Sequence, residues 1–224
     1  LSEAGKPALV AQQDGHGHTK NATAIAIASN GRSVVTVGMD RTLQHWFSAR
    51  GPAKTELAGH TGPVYASAFS PDDKLLATAG GDRTVRLWNL ETGEPAGTLE
   101  GHTHQVTGVS FNPQVKQLAS TSLDGTLRVW PLEGDAEVRV FRDGVQGGLL
   151  AVDITPNGNG ISVVGRDRRW RLLARDTLKP VRDLPGHANP IYAVTFNGSG
   201  NRAVTLDRSG KLFLWDSTNG NVRF

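Results

Sequence analysis

Short apolar segments separated by turn-forming residues run along most of the chain. Residues 64–69, VYASAF, lead into the turn SPDDK, residues 75–80, LLATAG, run to the turn GDR, and residues 84–88, TVRLW, are β-branched and aromatic. Residues 96–100, AGTLE, follow LETGE. Short segments of this composition, bounded by Gly, Pro, Asp and Asn, are typical of β-strands. The pattern predicts four strands in about forty residues.

The same segments return along the chain at a constant spacing. A Gly-His pair precedes each unit at Gly17-His18, Gly59-His60, Gly101-His102, Gly144-Val145 and Gly186-His187, with the histidine lost in the fourth. A bulky residue ends the third segment of each unit, at Trp46, Trp88, Trp130, Leu173 and Trp215. Both landmarks recur every 42 or 43 residues. They predict a single domain over residues 1–224 with five units, at approximately 15–46, 57–88, 99–130, 142–173 and 184–215.

Four strands per period, with Gly-His and Trp-Asp landmarks, resemble the WD-repeat β-propeller family. The resemblance covers about residues 17–216, although only the fifth unit ends in a literal Trp-Asp, Trp215-Asp216. It implies an all-β fold in which four-stranded blades, five of them in this chain, are arranged radially.

The two ends of the chain leave two arrangements of the ring open. In the first, residues 5–13 add an outer strand that closes a five-bladed ring, and residues 217–224 are left over. In the second, residues 217–224 begin a further unit, and the chain is part of a larger ring. We favour the second, because WD-repeat propellers commonly have seven blades. Open edges would then pair with the missing blades or with another copy of the chain.

The resemblance also implies a hydrogen-bonded set in each unit, made of the loop histidine, a second-strand hydroxyl, a turn aspartate and the third-strand tryptophan. A packed tryptophan needs an acceptor for its indole N–H, and a buried imidazole needs a partner. Because an unpaired buried partner is costly, we expect the set to be kept or lost together. The first three units carry complete sets: His18, Thr36, Asp40 and Trp46; His60, Thr78, Asp82 and Trp88; His102, Ser120, Asp124 and Trp130.

The fourth and fifth units depart from this pattern. In the fourth, Asp167 remains and apolar residues replace the other three members: Val145, Val163 and Leu173. The fifth keeps three members: His187, Thr205 and Trp215. It has Ser209 at the aspartate position and Asp207 two residues earlier. We therefore expect a weaker network in the fifth unit.

WD-repeat propellers act mostly as rigid platforms that bind peptides or proteins through loops on one face, so the resemblance implies a non-catalytic scaffold. The family's contact positions lie three and five residues after the loop histidine and just before the turn aspartate. Aromatic, aliphatic and arginine side chains there resemble an interaction hot spot. The candidates are Met39, Tyr65, Leu123, Leu150, Arg166, Tyr192 and Arg208. For the two tyrosines, packing within the strand is the alternative.

Basic residues are concentrated in one segment. The formal net charge is +3, and residues 166–182 hold seven Lys and Arg against two Asp, so all of the net positive charge lies there. Three interpretations follow: a surface for nucleic acid or another polyanion with Trp170 stacking on bases, an acidic protein partner, or a solvated strand. Strand alternation places Trp170 on the face opposite Arg169 and Arg171, which favours the solvated strand.

Composition argues against an enzyme and against a metal or cofactor. The chain has no cysteine, which excludes disulfides, thiolate nucleophiles and cysteine-ligated metals. The His, Ser or Thr, and Asp residues recur from unit to unit and would be dispersed around a ring, not gathered at one pocket. Neither the Gly-His-Gly-His stretch, residues 15–18, nor the alternating pair His102 and His104 has a third ligand nearby.

No apolar run approaches the roughly 18 residues of a membrane span, so we expect a soluble protein. The start, LSEAGKPALV, has no initiating Met and no signal pattern, which suggests a trimmed chain. The compartment is left undetermined. An accessory domain of a larger protein is a further alternative for the function.

Overall fold

The computed structural model describes residues 17–47, 54–142 and 147–223. These residues form five antiparallel sheets of four strands each, and within a sheet consecutive strands are hydrogen-bonded neighbours. The sheets are arranged as a five-bladed β-propeller. The prediction of an all-β propeller built from four-stranded units is confirmed.

The strands follow the repeat along the chain. The first sheet contains β1 (Ala22–Ile27), β2 (Ser33–Gly38), β3 (Leu43–Phe47) and β4 (Lys54–Leu57). The second contains β5 (Val64–Phe69), β6 (Leu75–Gly80), β7 (Val85–Asn89) and β8 (Pro95–Leu99). The third contains β9 (Val106–Phe111), β10 (Gln117–Ser122), β11 (Leu127–Pro131) and β12 (Arg139–Phe141).

The remaining two sheets have the same order. The fourth contains β13 (Leu149–Ile154), β14 (Gly160–Gly165), β15 (Arg169–Ala174) and β16 (Pro180–Pro185). The fifth contains β17 (Ile191–Phe196), β18 (Arg202–Asp207), β19 (Leu212–Asp216) and β20 (Val222–Arg223).

The core consists of apolar layers between neighbouring sheets. Between the second and third sheets, for example, Ala79 and Leu87 pack against Val109 and Phe111. Similar clusters join the first sheet to the second, the third to the fourth, and the fourth to the fifth. Burial of apolar faces between sheets is therefore what holds the array together.

The first strand of each sheet lies nearest the centre. Strand β1 contacts β5, β5 contacts β9, β9 contacts β13, and β13 contacts β17. The outermost strand, by contrast, is solvent-exposed, as β8 shows. Within the described ranges, no contact of this extent joins β17 back to β1.

Outer strands were in question at both ends of the chain. The outer strand expected at residues 5–13 lies outside the described residues. Residues 217–224 were expected to be left over or to begin a further unit. Two of them, Val222 and Arg223, form the fourth strand of the fifth sheet, where Val222 pairs with Trp215 and Arg223 with Leu214. No helix in the described part of the chain is long and apolar enough to cross a membrane.

Candidate functional site

In each of the first three sheets, the histidine, hydroxyl, aspartate and tryptophan are hydrogen-bonded to one another. In the second sheet, His60 Nδ1 lies 2.8 Å from Asp82 Oδ2, and His60 Nε2 lies 2.8 Å from Thr78 Oγ1. Trp88 Nε1 donates to the same hydroxyl oxygen at 2.9 Å. The other two sheets repeat these three contacts at 2.8 to 3.0 Å, through His18, Thr36, Asp40 and Trp46 and through His102, Ser120, Asp124 and Trp130.

One protonation state of the histidine satisfies every donor in these networks. A neutral imidazole protonated at Nδ1 donates to the aspartate and accepts the hydroxyl proton at Nε2, while the hydroxyl oxygen accepts the indole N–H. Burial lowers the pKa of His102 despite the nearby carboxylate. Burial would raise the pKa of Asp124, but hydrogen bonds from Thr126, Thr103 and His102 lower it to about 2. The pair is thus a neutral imidazole beside a carboxylate.

The turn aspartate also joins the histidine loop to the turn between the second and third strands. Asp82 accepts the N–H of Thr61 at 3.0 Å, and the N–H and O–H of Thr84 at 3.2 and 2.8 Å. The first and third sheets contain equivalent bonds. Both segments are therefore held at one end of each sheet. We call this end, with the histidine loops and the turns between second and third strands, the loop face.

The fifth sheet contains a complete network, and the expectation of a weaker one is wrong. His187 Nδ1 lies 3.0 Å from Asp207 Oδ2, and His187 Nε2 lies 2.7 Å from Thr205 Oγ1. Trp215 Nε1 donates to Thr205 Oγ1 at 2.8 Å. Ser209 donates its N–H and O–H to Asp207 Oδ1 at 2.8 and 2.6 Å. The hydrogen bond from Ser209, the largest influence, and the one from His187 hold the pKa of Asp207 well below its usual range.

The last residue of the second strand explains this change of position. It is Gly38 in the first sheet, Gly80 in the second and Asp207 in the fifth. A Cβ on Gly38 would lie 2.8 Å from His18 Nδ1 and 3.0 Å from Asp40 Oδ1, and the space beside Gly80 is tighter still. In the first two sheets, glycine therefore leaves room for the turn aspartate, whereas the third sheet has Ser122 at this position. In the fifth sheet, the residue at this strand position supplies the carboxylate itself.

The fourth sheet lacks the network and uses other contacts. Val163 and Leu173 are fully buried, and Val145 lies outside the described residues. Asp167 Oδ2 lies 2.6 Å from Arg171 Nη1, and both side chains are largely buried. An ion pair within the sheet thus takes the place of the contact between histidine and aspartate.

The basic segment does not form one charged surface. Trp170 is fully buried, its indole N–H donates to a serine hydroxyl at 2.6 Å, and its ring centroid lies 5.2 Å from that of Trp215. Trp170 therefore cannot stack on a base, and the expectation that it does so is wrong. Arg169 Nε lies 2.6 Å from Asp183 Oδ1, and Arg171 is buried. Two of the central arginines are thus neutralised within the sheet.

Several candidate contact residues lie at a β-bulge on the loop face. In the second sheet, Val64 pairs with Gly80 and Ala66 with Ala79, so Tyr65 is the extra residue. The same irregularity recurs in all five sheets, at Thr23, Tyr65, Thr107, Leu150 and Tyr192. A bulge bends the strand and redirects the side chain of the extra residue.

Backbone hydrogen bonds place the residue before each turn aspartate beside the start of the first strand. The N–H of Met39 donates to the carbonyl of Asn21 at 2.9 Å. The other sheets repeat this bond at 2.7 to 3.1 Å, between Gly81 and Pro63, Leu123 and Gln105, Arg166 and Gly148, and Arg208 and Pro190. The two kinds of contact position are therefore neighbours on the loop face.

All seven candidates lie on the loop face, but their exposure differs. Four side chains are exposed: Met39, Arg166, Tyr192 and Arg208. Three are partly buried: Tyr65, Leu123 and Leu150. Two threonines at the bulge link their sheet to the next one, a role that was not predicted from the sequence: Thr107 Oγ1 donates to the Leu149 carbonyl at 2.9 Å, and Thr23 donates to the Val64 carbonyl. Thr23 and Thr107 occupy the same position of the repeat as Tyr65, and this equivalence in the sequence could have pointed to them.

The histidine networks of the second, third and fifth sheets are buried. His60, His102 and His187 are buried, as are the hydroxyls that they contact, so these hydroxyls cannot reach a substrate. Among residues 17–47, 54–142 and 147–223, no group of three or more His, Asp or Glu is placed to hold a metal ion. The exposed side chains of the loop face are open to a ligand.

Radially packed four-stranded sheets with this recurring network define a WD-type β-propeller. The family model for the WD domain, G-beta repeat, matches residues 9–46, 51–89, 93–131 and 178–216. The chain belongs to the WD-repeat family, whose propellers are typically non-catalytic scaffolds for protein interaction. Three strands of the fourth sheet, which lacks the network, lie in the unmatched interval: β13, β14 and β15. A comparison with curated proteins gave no significant match.

Proposed function

We propose that the chain is a non-catalytic scaffold that binds a peptide or protein on its loop face. The observation that supports this proposal is the convergence of the seven candidate side chains at one end of the sheets. Bulges and repeated backbone hydrogen bonds hold their positions. A rigid array of sheets that presents varied side chains at one end suits recognition, because those side chains can differ without disturbing the packing below.

The chemistry of the loop face favours a partner with apolar and acidic parts. The first three sheets contribute Met39, Tyr65 and Leu123, while the fourth and fifth contribute Arg166 and Arg208. Neither of these arginines forms an ion pair with another described residue. Exposed guanidinium groups without a carboxylate partner are suited to binding one from another molecule. We therefore propose an acidic segment over the fourth and fifth sheets and an apolar segment over the first three.

A displayed peptide library selected on the immobilised chain would test this proposal. Peptides that bind are expected to combine acidic and apolar residues, and their affinity can be measured by fluorescence polarisation. Arg166→Ala with Arg208→Ala is expected to weaken binding by at least about tenfold, and Tyr192→Ala by a similar factor.

The matched control is Arg32→Ala with Lys179→Ala. This variant removes the same two charges from exposed residues in turns at the opposite end of the first and fourth sheets. It is expected to bind like the unmodified chain. Equal weakening in both double variants would show that net charge, not the loop face, determines binding. Selected peptides that bind all loop-face variants unchanged would refute the site.

A further inference from the structure

The first sheet exposes an apolar face whose counterparts in the third and fourth sheets are buried. Ile25 and Ile27 of β1 are each 64% exposed. Val109 and Phe111 hold the same positions in β9, where they are 7% and 8% exposed because the second sheet covers them. The network tryptophan of the first sheet, Trp46, is likewise partly exposed. The first sheet therefore has the face that normally packs against a preceding sheet, with no described sheet covering it.

The fifth sheet exposes the opposite face. Leu212 and Leu214 of β19 are 59% and 37% exposed. Val85 and Leu87 hold the same positions in β7, where they are nearly completely buried against the third sheet. The fifth sheet therefore has the face that normally packs against a following sheet. Exposed apolar side chains grouped in this way are unusual on a protein that has no partner.

The two exposed faces are the two halves of one kind of interface, which the chain already forms four times between its own sheets. Their side chains also correspond in detail. Leu212 occupies the position of Trp170, whose ring packs on Trp215, and Trp215 corresponds to Trp46. Leu212 against Trp46 would thus reproduce an existing contact.

We infer that copies of this chain associate head to tail, with the fifth sheet of one copy packed against the first sheet of the next. The contact uses two different surfaces, so a pair of copies retains one free face at each end. Association can then continue to larger species. The occupant of each face is a second copy because the complementary half of the interface is present on the same chain.

Sedimentation velocity over a range of concentrations tests this inference. The unmodified chain is expected to form species of two or more copies that grow with concentration. Ile25→Asp with Ile27→Asp blocks the first sheet, and Leu212→Asp with Leu214→Asp blocks the fifth. Each double variant is expected to be a monomer, because it retains only one of the two faces. An equimolar mixture of the two is expected to form a one-to-one dimer and nothing larger.

The matched control is Val181→Asp, which adds a charge at an exposed apolar position on the outer strand β16 and should leave association unchanged. Far-UV circular dichroism checks that each variant keeps its strands, and the substituted positions are exposed enough to tolerate a charge. An unmodified chain that remains monomeric at every concentration would overturn the inference. So would double variants that each still self-associate, or a mixture that remains monomeric.

Discussion

The carboxylate that binds the histidine comes from two different backbone positions in this protein. In the first three sheets it belongs to the turn, as with Asp82, and in the fifth it belongs to the last residue of the second strand, Asp207. In both arrangements, the carboxylate contacts Nδ1 of the imidazole. In the first two sheets, glycine at the strand position leaves room for the turn aspartate, whereas the third sheet has Ser122 there. The buried histidine requires a carboxylate acceptor, and either of the two backbone positions can supply it.

Exchanging the two positions in the fifth sheet tests this requirement. Asp207→Gly removes the acceptor for His187 and Ser209 and is expected to lower the Tm by roughly 3–8 °C, since buried donors lose their partner. Asp207→Gly with Ser209→Asp restores the arrangement of the second sheet and is expected to recover most of that loss. Thermal unfolding followed by circular dichroism measures both.

The control for this exchange is Ser209→Asp alone. It places two carboxylates in a space for one and is expected to destabilise the protein. If the double variant is no more stable than Asp207→Gly, the carboxylate position is not interchangeable and the explanation by space fails.

At the scale of the sheet, the fourth unit shows that the network is one of several ways to hold the fold. Its histidine, hydroxyl and tryptophan positions are apolar, yet its four strands pair in the same register as those of its neighbours. An apolar cluster that includes Val163 and Leu173 fills the space between sheets. The remaining aspartate, Asp167, is compensated by Arg171.

Breaking this ion pair is expected to cost more than an ordinary surface substitution. Arg171→Met leaves Asp167 largely buried without its cation and should lower the free energy of unfolding by about 3–5 kcal/mol. Arg171→Met with Asp167→Asn should cost less than the sum of the two single variants, because neither charge is then isolated. Chemical denaturation of the three variants gives the coupling energy.

The exposed pair Lys116 and Glu133 is the matched control. Both side chains are about two-thirds exposed, so Lys116→Met should have little measurable effect. Equal losses for Arg171→Met and Lys116→Met would mean that burial does not determine the strength of the pair in the fourth sheet.

The strands themselves were largely predictable from the sequence, because the alternation of apolar and polar residues and the turn-forming residues determine them over short segments. Residues 64–69 and 75–80 form strands over the predicted ranges, and the fourth strand, expected at 96–100, begins one residue earlier. Contacts between distant residues were not predictable in this way. The burial of Trp170 depends on the fifth sheet packing against it, and the use of Asp207 depends on the shape of a space between two loops.

At the scale of the molecule, the sheets form a linear order in which each contacts its neighbours. Among the described residues, the second, third and fourth sheets are covered on both faces, whereas the first and fifth are covered on one. In such arrays, stability depends on the interfaces between adjacent units. Each terminal sheet therefore has one packed interface, whereas each central sheet has two.

This difference predicts a gradient of local stability along the chain. Backbone amides of β1 and β2, and of β18 and β19, are expected to exchange with deuterium faster than those of β9 and β10, because opening a terminal sheet disrupts one interface instead of two. Hydrogen exchange with mass spectrometry can compare the hairpins peptide by peptide, with the Ile25→Asp, Ile27→Asp variant used to keep the protein monomeric.

In the unmodified chain, the same amides are expected to become more protected as concentration rises, because head-to-tail association supplies the missing interface. The amides of β9 and β10 provide the internal reference, since their sheet is covered in either state. Uniform protection across all five sheets in the monomeric variant would show that the terminal sheets are as stable as the central ones. The exposed faces would then not be incomplete interfaces in solution.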